Sequence, residues 1–229
     1  LLFLKNGFPG LDQILVENFD IIRLITSARV PLIKPGSVAT PIRSYGFKVV
    51  IDEDLPIVCV VDTGIQISVE PIKDLLTPIF IDHTGKAPYW DDSGHGTAVA
   101  GLIAFGTDFF NTSLREIPAK ARLAVIKAIH QENDDLNIVA LINDIRELHL
   151  SYGIRIFNIS LNLPGSKPYN GPVGKFAYEL DKLAYELDIL IVNSVGNYSL
   201  DDMDYWVFDG SLDPVAQYPS FYYQTNPSR

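Results

Sequence analysis

From residue 48 onward, short runs of apolar and β-branched residues alternate with longer stretches of helical period, and this alternation narrows the possible architectures more than any other feature of the chain. "IVCVV" at 57–61, "RLAVIKAI" at 122–129, "IRIFNIS" at 154–160 and "ILIVNSVGN" at 189–197 have the length and branching of buried strands. Between them, "TAVAGLIAF" at 97–105 reads as a helix. "LNIVALINDIRELHL" at 136–150 places Ile138, Leu141, Ile142, Ile145 and Leu148 on one helical stripe, and "GKFAYELDKLAYEL" at 174–187 does the same with Phe176, Leu180, Leu183 and Leu187. Strands joined by helices pair in parallel through right-handed crossovers, so the pattern predicts an α/β fold: a parallel central sheet with helices on both faces. In such sheets ligand chemistry sits beyond the carboxyl ends of the strands.

The first 47 residues lack this rhythm. "LDQILVENFDIIRLI" offers a helix and part of a strand, but Pro31, Pro35, Gly36 and Pro41 then impose extended or turning backbone. Two units follow: a leader, 1–47, lying against the main domain or belonging to an upstream region, and the main domain, 48–229. The opening "LLFLKNGFPG" has no initiator methionine and no signal-peptide pattern, so it reads as an internal cut with targeting signals expected outside it. Of 229 residues, 28 are acidic and 18 basic, a net charge of -10 that disfavours nucleic acid or anionic lipid as a partner. No apolar run approaches the roughly 18 residues of a membrane-spanning helix. Cys59, the only cysteine, excludes an intramolecular disulfide and is expected to be buried between Val58 and Val60. With no secretion signal in view, it leans towards the cytoplasm.

Two motifs carry candidate chemistry. The strand "IVCVV" stops at Asp62, followed at once by Thr63 and Gly64; alone, Asp-Thr-Gly at a strand end is more often a turn than a site. In "DDSGHGTAVAG", residues 91–101, glycines flank His95 on both sides, so backbone can approach closely while the imidazole projects from the first turn of a helix. Alone, His95 also fits a helix-start histidine beside an Asp/Ser cap. Together they fit a different pattern: a histidine acting as general base needs a buried carboxylate on its other nitrogen, and a strand end facing a helix start supplies one.

With "NISLNLPG" at 158–165 and "ILIVNSVGNYS" at 189–199, the set resembles the subtilisin-like serine proteases, or subtilases. Their aspartate motif is similar to "VVDTGI", their histidine motif to "GHGTAVAG", their substrate-binding strand to "NISLN", their oxyanion asparagine segment to "VGN", and a later "YPA" segment to "AQYPSFY". The matches run in family order over roughly residues 55–222, with "GHGT" the most specific. The resemblance implies a serine endopeptidase acting on polypeptides. Asp62 would orient His95, His95 would be base and then acid, and Asn197 would donate to the oxyanion. Ser160, Leu161, Asn162, Val195 and Gly196 would line a groove in which substrate backbone adds as a strand. Asn162 stands where the family carries glycine, a departure that leaves the shape of the primary specificity pocket open.

The nucleophile's Gly-Thr-Ser context is missing: Ser199, Ser211, Ser220 and Ser228 are the serines after Asn197, and none has it. The resemblance therefore implies a subtilase domain incomplete on its carboxyl side, its amino-terminal two-thirds or so, inactive as this chain alone. A non-catalytic peptide-binding or regulatory module derived from a subtilase is the alternative, and a metal hydrolase built on Asp62 and His95 is disfavoured for want of a second ligand pair. No cofactor is expected. Five aspartates in "DDMDYWVFDGSLD", 201–213, leave calcium open, although their spacing is not that of an EF-hand loop and a solvated acidic loop is favoured. His83, His130 and His149 lack zinc-ligand spacing. Tyr178 and Tyr185 are expected to pack in the core or at its rim.

Overall fold

A computed structural model describes residues 29–31, 46–111, 113–130, 135–161 and 173–194. In chain order the strands are β1 (Arg29–Pro31), β2 (Lys48–Val50), β3 (Ile57–Asp62), β4 (Leu76–Asp82), β5 (Glu116–Pro118), β6 (Arg122–Lys127), β7 (Asp135–Asn137), β8 (Ile156–Ile159) and β9 (Leu190–Asn193). The helices are α1 (Glu70–Lys73), α2 (His95–Phe105), α3 (Ile138–Tyr152) and α4 (Lys175–Leu187).

The centre is a five-stranded sheet in the order β4-β6-β3-β8-β9, and every pairing in it is parallel. β3 occupies the middle, where both edges are hydrogen-bonded and both faces are covered. Its Cys59, Val60 and Val61 are wholly buried, as an uninterrupted apolar strand requires. The pleat divides them. Cys59 and Val61 join a core made with Leu141, Ile145 and Leu148 of α3 and Phe176, Leu180 and Leu183 of α4. Val60 points the other way, into a second core with Ala100, Ala104 and Phe105 of α2. Burial pushes the Cys59 thiol well above its ordinary pKa, which leaves it an apolar filler rather than a nucleophile. The sheet is thus covered by helices on both faces, in the α/β class that the alternation predicts.

Helix ends follow local chemistry. Asn137 caps α3 by accepting the Ala140 N–H at 3.2 Å, and Gly153 stops it in a left-handed conformation. Two small ladders lie outside the main sheet: β2 pairs in parallel with β5, and β1 pairs antiparallel with β7, setting Val30 opposite Leu136. Among the described residues no helix is long and apolar enough to cross a membrane.

Two local features depart from the sequence pattern. Residues 76–82 show no clean strand signal, yet they form β4, an edge strand whose register shifts between Leu76 and Phe80. Pro78 falls in that irregular stretch, and an edge is where a missing N–H is tolerated. Tyr178 and Tyr185, expected at the core or its rim, lie on the outer side of α4 with 58% and 91% exposure. The buried stripe of Phe176, Leu180 and Leu183 faces the sheet and turns these tyrosines to water.

This division of α3 and α4 predicts a contrast measurable by urea unfolding. Leu141→Ala, in the centre of the larger core, should cost about 2–5 kcal/mol, whereas Tyr185→Ala should stay within about 0.5 kcal/mol of wild type.

Candidate active site

β3 and β6 end side by side, with Asp62 opposite Lys127 in register. Both side chains lie on the α2 face, the face of Val60 and Val125. The chain leaves β3 through Thr63 and Gly64. Gly64 has φ +102, and a Cβ there would fall 2.6 Å from the Trp90 carbonyl oxygen and 2.9 Å from that of Pro88. Only glycine permits this passage.

α2 begins at His95, and its first turn abuts the end of β3. A Cβ on Gly96 would stand 2.1 Å from the Gly64 carbonyl oxygen and 3.2 Å from the Asp62 Cβ. The glycine after His95 therefore sets the distance between helix and strand. At that distance His95 Nδ1 lies 2.8 Å from Asp62 Oδ1 and 3.0 Å from Oδ2. The Asp62 carboxylate is wholly buried, and its Oδ1 also accepts the Thr63 N–H at 2.7 Å. Because an ionised carboxylate only accepts, Nδ1 carries the proton, and in the neutral ring the accepting nitrogen is Nε2. The imidazole pKa is raised above the usual 6.5, first by the hydrogen bond to Asp62, against the opposing effect of burial, with the charges of Asp62 and Asp91 adding to the rise.

A second carboxylate supports the loop before His95. Asp91 Oδ1 accepts from Thr63 Oγ1 at 2.8 Å and Gly94 N–H at 2.9 Å, and its Oδ2 accepts from Thr97 N–H at 2.8 Å and the Thr97 hydroxyl at 2.6 Å. Lys127, wholly buried, donates from Nζ to the Trp90 carbonyl of the same loop and lies 4.0 Å from Asp92 Oδ1. Burial lowers the Lys127 pKa, while the charges of Asp92, Asp91 and Asp82 oppose that shift. Thr63, Asp91 and Lys127 did not stand out as site residues in the sequence. The available signal was an Asp followed by Ser93 and Thr97 at cap spacing; Lys127 merely ends an apolar run.

Of the groove residues, Ser160 donates its N–H to the Val61 carbonyl at 3.1 Å, extending the β8 ladder, and its hydroxyl accepts from Asn158 Nδ2 at 3.0 Å. The Leu161 side chain is buried in the larger core, so what it can offer a ligand is backbone. Asn162, Val195, Gly196, Asn197 and the acidic stretch 201–213 lie outside the described residues. The remaining histidines take separate partners: His83 Nε2 is 2.7 Å from Asp144, His130 Nε2 is 3.6 Å from Asp92, and His149 Nδ1 is 3.0 Å from the Ile154 carbonyl. Among the described residues no group of three or more His, Cys, Asp or Glu is placed to hold a metal ion.

Fold and site together define an α/β protein with a carboxylate-held histidine at the carboxyl end of its parallel sheet. The sequence profile of the Subtilase family matches residues 54–225, and the chain belongs to that family. No curated protein matches it. Among solved structures it is similar to the epidermin leader peptide processing serine protease EpiP from Staphylococcus aureus, at 16% identity and TM-score 0.43 over 62% of this chain and 37% of that one. It is similar also to the nisin leader peptidase NisP from Lactococcus lactis, at 16% identity and TM-score 0.44 over 65% and 46%. The MycP3 protease of the type VII (ESX-3) secretion system gives 27% identity and TM-score 0.40 over 62% and 41%. The chain spans less than half the length of each of these structures.

The raised pKa has a thermodynamic consequence. Folded His95 holds its proton more tightly than the unfolded chain does, so the pair adds stability that is complete below about pH 6.5 and is lost as pH rises through the raised folded value. Wild type should therefore exceed Asp62→Asn in unfolding free energy by more at about pH 5.5 than at about pH 8.5. Denaturant titrations at the two pH values check this, and a difference that grows with pH would contradict it.

Proposed function

We propose that this chain supplies the general base and its orienting carboxylate to a serine endopeptidase that cleaves polypeptides through an acyl-enzyme. The observation that carries the reading is the 2.8 Å contact between His95 Nδ1 and the buried Asp62 carboxylate, in a chain of the subtilase family. With Nδ1 committed to Asp62, Nε2 takes the proton of a serine hydroxyl as that oxygen attacks the scissile carbonyl. Asp62 stabilises the imidazolium so formed and remains ionised, and Nε2 then gives the proton to the leaving amine. The same exchange run on water releases the acyl group.

Asn197 is assigned to the oxyanion, where a side-chain amide N–H would stabilise the tetrahedral intermediate. The backbone around Ser160, Leu161 and Asn162, with Val195 and Gly196, is assigned to pairing with extended substrate. The nucleophilic serine is assigned to sequence beyond Arg229, because no serine after Asn197 in this chain sits in a nucleophile context. On this reading the 229-residue chain by itself forms no acyl-enzyme.

A fluorophosphonate probe for activated serines, used beside a peptide-hydrolysis assay, tests the reading. The longer protein should be labelled and the isolated chain should not. His95→Ala or Asp62→Ala in the longer protein should lower kcat on the order of 10⁴-fold or more and abolish rapid labelling. Labelling of the isolated chain, or full activity in His95→Ala, would overturn the assignment. An unreactive longer protein that still binds extended peptides would point to the peptide-binding module instead.

A further inference from the structure

The contacts around Asp91 join three stretches of chain that meet at His95. Its carboxylate faces donors from the exit of β3 (Thr63 Oγ1), from its own loop (Ser93 N–H at 3.2 Å and Gly94 N–H at 2.9 Å) and from the first turn of α2 (Thr97 N–H and hydroxyl). Thr63 Oγ1, having donated to Asp91, accepts the Gly96 N–H at 3.0 Å, and Ser93 Oγ accepts the N–H of His95 itself at 3.1 Å. Thr97 Oγ1 in turn accepts the Gln66 N–H at 2.9 Å. The residues before and after His95 are thus bound to one clasp, and the clasp is anchored on the residue that follows Asp62.

This arrangement answers a local deficit. The residue preceding α2 is Gly94, which has no side chain with which to cap the orphan N–H groups of the first turn. Asp91 supplies that acceptor from three residues upstream. Donors approach both of its oxygens, so the charged, acceptor-only form is required; an amide would turn two N–H groups towards donors.

We propose that Asp91 is a positioning residue, which through Thr63 and Thr97 fixes the separation and orientation of Asp62 and His95 without touching substrate. The proposal rests on the reading of that pair as the base of a protease. Its charge also adds to that of Asp62 in the field that favours the His95 imidazolium, and it acts as well on Lys127 at the end of β6. A role confined to stability would alter neither the turnover of folded enzyme nor its pH profile.

The test is Asp91→Asn in the longer protein, read by steady-state kinetics and by NMR titration of the His95 ring. Expected are a kcat about 10–100-fold lower with KM within about twofold. The acid limb of kcat/KM and the His95 titration should both move to lower pH. A folded Asp91→Asn protein with wild-type kcat, acid limb and His95 titration overturns the proposal. Should Asp91→Asn fail to fold, the Thr63 pair decides. Thr63→Val should lower kcat and Thr63→Ser, which restores the hydroxyl, should recover most of it; equal activity in the two overturns the proposal. If wild type proves inactive, the protease reading fails separately. The His95 titration then still reports on the clasp, supporting it if Asp91→Asn shifts the midpoint and overturning it if not.

Discussion

A carboxylate sealed from water at the end of a central strand is the constraint around which this structure is organised. Burying the Asp62 charge would cost several kcal/mol if it were left unpaired. Here the Thr63 N–H and His95 Nδ1 satisfy it. That solution needs α2 to begin against the tip of β3, an approach that Gly96 and Gly64 allow and that a Cβ at either place would block. The two cores hold the same geometry from a distance: the larger one, with α3 and α4, fixes one face of β3, and the smaller one seats α2 on the other.

The pairing has direct chemical consequences. A histidine whose Nδ1 is tied to a buried carboxylate presents Nε2 as its basic nitrogen, in one tautomer and one orientation. The same bond raises the ring pKa, so an imidazolium at this position is stabilised by a partner already in place rather than by reorganising solvent. The surrounding loop adds to this. Lys127 holds the Trp90 carbonyl from the end of β6, while Asp91 gathers donors from both sides of His95. His95, Asp62 and the loop are therefore mechanically continuous with the sheet.

Most of the sheet was legible in the chain because its strands are short apolar runs and its helices carry regular stripes. Ile145 and Leu183 sit in the core where the 3.6-residue period places them. β4 was not legible, since Thr77 and Pro78 interrupt it and it makes up for this by lying at an edge with irregular register. The outward tyrosines of α4 differ from expectation because aromatic character suggests packing while the helical phase decides it. At the site, Asp62 and His95 announced themselves by a strand that stops on a carboxylate and by glycines on either side of an imidazole. Asp91 did not. Its neighbour Asp92 offers the same functional group, and the choice between them depends on Thr63, 28 residues away in sequence. Lys127 was hidden for a related reason: a lysine at a strand end reads as a solvated terminus unless the loop that buries it is known.

The most direct measurement is ¹⁵N NMR of histidine-labelled protein, resolving the two ring nitrogens of His95 above its titration midpoint. The expected result is a protonated Nδ1, with a low-field proton that disappears in Asp62→Ala, and an unprotonated Nε2. A neutral ring protonated on Nε2 would contradict the central claim, because Nδ1 would then have no proton to donate to the Asp62 carboxylate.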